Sequence, residues 1–190
     1  MPSEAHWEKK AAVRALSAME IMGVPQFKPG FEGKLEDLAP VRNQPDKYET
    51  GLIRAIKDCA LDDPEDPPAV PLKDLRLAVA EALGFKETAD EKRKLRAYSA
   101  LGTPLHTQCG VSGFFEYNDP KAGGFARTLI EVAANSDSPY GNGADVMIDN
   151  LPDANLAEDA YLAKIESLGR DIAKKLRAVA QAATRAKQHR

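Results

Sequence analysis

Between His106 and Ser138 the spacing of apolar residues changes, and that change constrains the fold more than any other feature. Val111, Gly113, Phe115 and Tyr117 alternate with Ser112, Phe114 and Glu116. After the turn residues of YNDPKAGGF, a β-branched extended pattern resumes from Phe125 to Ala134. On either side of this region, apolar residues recur at three- and four-residue steps instead. Two strands joined by a turn are only marginally stable alone, so the flanking helices must supply the cover. The chain is therefore expected to be α+β.

Helical spacing places a first helix after Ser3, running to Met22 with Gly23 as its stop and Ala12, Ala15, Leu16, Met19 and Met22 on its apolar side. The Pro- and Gly-rich stretch GVPQFKPGFEGKLEDLAPVRNQPD follows, with Phe27, Phe31, Leu35 and Leu38 to hold it on the surface. A second helix from about Lys47 presents Tyr48, Leu52, Ile56 and Cys59, and a third carries Leu75, Val79 and Leu83 up to Gly84. Thr88 and Glu91 have capping-box spacing and open a fourth helix through Lys92, Arg93, Lys94 and Arg96, ending at Gly102 and Pro104. After the hairpin, Ala144 to Asp149 suits a third, buried strand. Asn155 and Glu158 then introduce a long last helix through Tyr161, Ile165, Leu168, Ile172, Leu176 and Val179, with a bend at Gly169. The expected architecture is N-terminal helices, a three-stranded sheet made of the hairpin plus a third strand, and a long C-terminal helix. Residues 1–86 form a helical layer and residues 87–190 an α-β-β-β-α core, together one compact unit.

A net charge of −3 with a pI near 5.7 excludes nucleic-acid binding through overall basicity and leaves only local concentrations of Lys and Arg. No stretch is apolar and long enough to cross a bilayer, and Glu4, Glu8, Lys9, Lys10 and Arg14 interrupt any secretory apolar core. Two cysteines in unlike contexts, Cys59 on a helix and Cys109 in a loop, make no disulfide framework, so a cytoplasmic protein without a membrane partner is expected.

The order helix, strand, turn, strand, loop, strand, helix, with an acid on the second strand, resembles the core of the restriction-endonuclease-like superfamily. That family carries an acid at the end of one strand and acid-x-Lys on the next, because two carboxylates on adjacent strands hold magnesium against the scissile phosphate while the lysine activates water. Ser112 stands at the first acid's position, Glu131 at the second and Ala133 at the lysine's. The resemblance implies a degenerate nuclease core. No cofactor is expected, with Mg²⁺ entering only if catalysis survives through displaced ligands. Glu116, which shares a strand face with Ser112, is then the candidate catalytic partner of Glu131, and Asp145 a candidate metal ligand beside it, with Lys164 of the long helix reaching in. The plainer alternative makes Glu131 a strand carboxylate paired with Arg127 or a helix cation. The polar side of the hairpin is expected to lie beneath or beside the long helix.

Other motifs are weaker. His106 and Cys109 have the spacing of two zinc ligands or of a thiol and its base, but lack companions. The acids Asp58, Asp62, Asp63, Glu65 and Asp66 match no calcium loop and read as a solvated linker. From Lys164 to Arg190, eight basic residues face two acidic ones, a net +6 within an acidic chain. Lys174, Lys175, Arg177, Arg185 and Lys187 are therefore the candidate binding residues. The favoured expectation is a non-catalytic nuclease-like domain that binds nucleic acid through this helix, or binds a protein partner or a second copy. The alternatives are a metal-dependent nuclease with displaced ligands and a structural or scaffold protein of a phage or bacterial assembly.

Overall fold

The computed structural model describes residues 14–86, 88–119, 124–133 and 143–188. Helices α1 (Ala18–Met22), α2 (Phe31–Glu36), α3 (Pro45–Cys59), α4 (Val70–Leu83) and α5 (Ala89–Lys92) precede strand β1 (Leu95–Ser99) and helix α6 (Pro104–Cys109). Strands β2 (Gly113–Asp119), β3 (Gly124–Ala133) and β4 (Val146–Asp149) follow, and helix α7 (Glu158–Gln188) ends the described chain. The strands lie in the order β1-β2-β3-β4. The first three are antiparallel, and β4 runs parallel to β3 with Ile130 opposite Val146.

The sheet thus has four strands, not three. Strand β1 was hidden in the expected fourth helix, because Leu95, Arg96 and Ala97 are good helix formers that continue the run of Lys92, Arg93 and Lys94. What overrides their propensity is pairing: Leu95, Ala97 and Ser99 register with Tyr117, Phe115 and Gly113, and Leu95 and Ala97 become buried. The expected Thr88 cap is absent, since α5 has no side-chain cap and Glu91 instead accepts the Lys86 N–H. The first helix is also shorter within the described residues. It begins at Ala18, where Ser17 and Glu20 form a capping box, while Leu16 N–H donates to Leu151 O at 2.8 Å. Its expected part from Ser3 to residue 13 lies outside the described residues. Asn155 does not cap α7; Asp153 Oδ1 accepts from the Asn155 backbone N–H and side-chain amide, and the helix starts at Glu158.

Alternation divides the sheet residues between two apolar layers. Leu95, Ala97, Phe115, Ala126, Ile130, Val132 and Ile148 face α1, α4 and α7. Tyr98, Phe114 and Leu129 face α2, α3 and α6. Gly169 permits the approach of α7 to α4, because a Cβ there would lie 2.7 Å from the Ala78 Cβ. It serves close packing within one continuous helical span. The acidic linker is likewise more than solvated spacer. Pro64 O accepts the Ala97 N–H at 2.9 Å, Glu65 approaches Arg96 at 3.5 Å, and Asp66 pairs with Lys73 at 2.6 Å. Buried Arg76 donates from Nε to Leu95 O at 3.0 Å; burial pulls its pKa down, and the field of Glu65, Asp63 and Asp66 opposes that fall. The outer edge of β1 is therefore covered by side chain and linker. Strand β4 is short and only partly enclosed, with Ile148 buried but Met147 46% exposed, in place of the fully buried strand expected.

Candidate functional site

Pleating sends Ser112 and Glu116 of the β2 segment and Arg127 and Glu131 of β3 to one face, together with Phe114 and Leu129. Helix α3 covers that face, and α7 lies on the other, which corrects the expectation that the polar side sits beneath the long helix. The apolar residues of α3 bring Lys57 over the sheet. Its Nζ lies 2.7 Å from Glu116 Oε2, while Arg127 donates to Oε1 from Nη2 at 2.6 Å and from Nε at 3.0 Å. Glu116 is fully enclosed, whereas Lys57 and Arg127 each keep part of the side chain in water. Lys57 Nζ also stands 4.8 Å from the centroid of Phe125, and the Arg127 guanidinium 5.8 Å from that of Phe114. Each carboxylate oxygen of Glu116 thus faces a cation, Oε1 through hydrogen bonds from Arg127 and Oε2 through the charge of Lys57 without hydrogen-bond alignment. The group works as the hub that neutralises Lys57 and Arg127.

The other candidates are tied to the backbone. Ser112 donates its N–H to Ile130 O at 2.8 Å and accepts the Val132 N–H on Oγ at 3.0 Å, so its hydroxyl continues the ladder beyond the start of β2. A serine at this position has a structural use that an acid is not required to fill. Asp145 makes the corresponding clamp on the other side of β3: its Oδ2 accepts from Leu129 N–H at 2.8 Å and its N–H donates to Leu129 O at 2.9 Å. Glu131 is 5% exposed and takes part in none of the ion pairs among the described residues; Arg127 belongs to Glu116 instead. Lys164 pairs with Asp149 at 2.7 Å, not with Glu131 or Glu116, and that contact holds the Asp149 carboxyl below its usual range. Among the described residues no three His, Cys, Asp or Glu side chains gather in a way that would hold a metal ion.

Glu49 was missed by sequence reasoning. Burial pushes its carboxyl up, Arg127 opposes that shift, and the charges of Asp46 and Asp145 add to it. The signal was available in the spacing: Glu49, Ile53 and Lys57 recur at four residues, so an acid and a base share the inner edge of α3. His106 and Cys109 occupy α6, not a loop. Gly102 N–H donates to His106 Nδ1 at 3.4 Å, and burial, reinforced by Glu49, raises the Cys109 thiol, which is the wrong direction for an activated nucleophile. Cys59 is buried in the α3 layer as a small apolar residue.

The basic candidates lie elsewhere, on the second half of α7. Lys174, Lys175, Arg177, Arg185 and Lys187 are all exposed, and none of the ion pairs among the described residues involves them. Arg177 is steadied by donating Nη2 to Ala82 O at 2.6 Å. Among the described residues no helix is long and apolar enough to cross a membrane. Comparison with protein-family models, curated proteins and solved structures finds no match to this chain.

Proposed function

We propose that this chain is a non-catalytic, nuclease-like domain that binds nucleic acid through the second half of α7. The observation that carries the reading is the concentration of exposed cations on one helix. Lys174, Lys175, Arg177, Arg185 and Lys187 all lie on the second half of α7, no acidic residue follows Asp171 there, and none of the ion pairs among the described residues involves them. Uncommitted surface cations on one rigid element are what phosphate neutralisation requires, and they supply affinity without reading sequence. The likeness to a restriction-endonuclease core enters through Glu131 and the order of elements. The engagement of Ser112, Glu116 and Asp145 in hydrogen bonds and ion pairs supports a core that holds shape instead of magnesium.

The test is equilibrium binding of labelled DNA and RNA across a salt series. The intact protein should bind at low salt, with log K falling linearly against log salt. Joint replacement of Lys174, Lys175 and Arg185 by Ala should flatten the slope by roughly 0.7–0.9 for each phosphate no longer neutralised. Failure to retain any nucleic acid at low salt overturns the proposal, as does a saturable manganese site that Glu131→Ala abolishes.

A further inference from the structure

A cleft of about 430 Å³ opens beside the basic face, where the end of β2 meets α7 and the last turn of α4. Leu83 and Ala180 line it with apolar surface, Tyr117 contributes an aromatic ring, and Arg177, Gln181 and Arg185 stand along α7 at four-residue steps. Thr184 lies beside them and Asp119 lies at the end of β2. Tyr117 is fixed from behind by Phe85, with ring centroids 5.4 Å apart. Among the described residues its hydroxyl makes no hydrogen bond, and burial followed by the charge of Asp119 raises its pKa while Arg177 opposes.

We infer that this cleft receives one unstacked base of a single-stranded nucleic acid whose backbone runs along α7. The inference rests on the proposed nucleic-acid reading and narrows it to single strands. Arg177 and Arg185 are separated by two helical turns, about 12 Å along the axis. Arginines spaced in this way can each take a separate phosphate of a strand that follows the helix. Between them lie the components a base needs: an anchored ring to stack on, apolar surface beneath, and the amide of Gln181 with the hydroxyl of Thr184 for its polar edge. A duplex keeps its bases stacked inside and has nothing to place there. The volume falls in the range of small-ligand pockets, so a base fits without rearrangement of the core.

Three probes of equal length separate the possibilities: a single-stranded oligonucleotide, the same strand with abasic positions, and its duplex. The single strand should bind the intact protein roughly tenfold or more tightly than the abasic strand or the duplex, in line with the cost of removing one base stack. Gln181→Trp, which fills the cleft from an exposed helix position without changing charge, should remove that preference and leave the salt slope unaltered. Tyr117→Leu should do the same, and Tyr117→Phe should keep the preference. The Lys174, Lys175 and Arg185 triple variant should flatten the salt slope for all three probes. Equal affinity for all three probes, with Gln181→Trp silent, overturns the cleft inference while leaving the proposed function standing. Absence of binding to every probe at low salt overturns both.

Discussion

On the α7 side of the sheet, Phe115, Ile130 and Ile148 meet Leu75, Val79, Ile172 and Leu176 in a layer built almost wholly from apolar side chains. On the α3 side, Phe114 and Leu129 share the surface with Ser112, Glu116 and Glu131, and the covering helix brings a lysine to meet the acid. The apolar side is held in register by shape, of which the approaches of Gly169 to Ala78 and of Gly113 to Met22 are instances. The polar side is held by directed bonds, since a buried carboxylate is tolerated only where cations meet it. One sheet therefore combines a layer that resists loss of volume with a layer that resists loss of charge complementarity.

Substitutions sharpen or break that contrast. Phe115→Ala removes a fully buried ring from the apolar side and should lower unfolding free energy by about 3–5 kcal/mol in a denaturant melt. An unchanged midpoint would mean that β2 does not carry the core. Glu116→Gln keeps the volume and removes the charge that Lys57 and Arg127 share. It should cost about 1.5–3 kcal/mol, with the loss shrinking when Lys57 is also replaced by Met. Additive losses would show that the hub is not a coupled unit. Thr128→Val tests the opposite face. The Thr128 hydroxyl is enclosed on the α7 side and has no hydrogen-bond partner among the described residues, so the isosteric change should be neutral or raise stability by about 1 kcal/mol. A clear loss of stability would reveal polar organisation on the side described as apolar.

The smallest effect concerns Glu49. Its carboxyl is raised in the folded chain above the ordinary value, so the folded state holds its proton more tightly than the unfolded one. Protonated Glu49 is therefore the form the fold prefers. Its contribution to stability is present below the unfolded pKa and is lost as pH rises through the folded pKa. Glu49→Gln should raise thermal stability slightly at neutral pH, by less than about 0.5 kcal/mol because the group is only partly buried, and should have no such benefit in acid. A larger benefit in acid than at neutral pH would contradict the sign.

Helical spacing in α3, α4 and α7 was readable because their apolar residues recur over several turns, from Tyr48 to Cys59, Leu72 to Val79 and Tyr161 to Ala180. The β2–β3 pair was readable from alternation. Strand β1 was not, since Leu95, Arg96 and Ala97, all good helix formers, acquire strand character only from partners Tyr117, Glu116 and Phe115, which lie well downstream. The candidate site divides the same way. Parity correctly puts Ser112 with Glu116 on one face. It does not indicate that α3 supplies the cover, because which helix lies on which face depends on packing between distant elements. Membership of one strand suggests Glu131 as the partner of Arg127, but the cross-strand neighbour of Arg127 is Glu116, and directly opposed pairs are closer than residues four apart along a strand.

The cover over β1 has a consequence for how molecules of this kind can assemble. Ala97 N–H and Leu95 O, the groups through which a foreign strand would dock, already bond to Pro64 and Arg76. Growth of a continuous intermolecular sheet requires two open margins on each molecule, one to receive and one to offer. A strand added at the β1 margin would have to displace the bonds to Pro64 and Arg76, so growth through that margin is opposed.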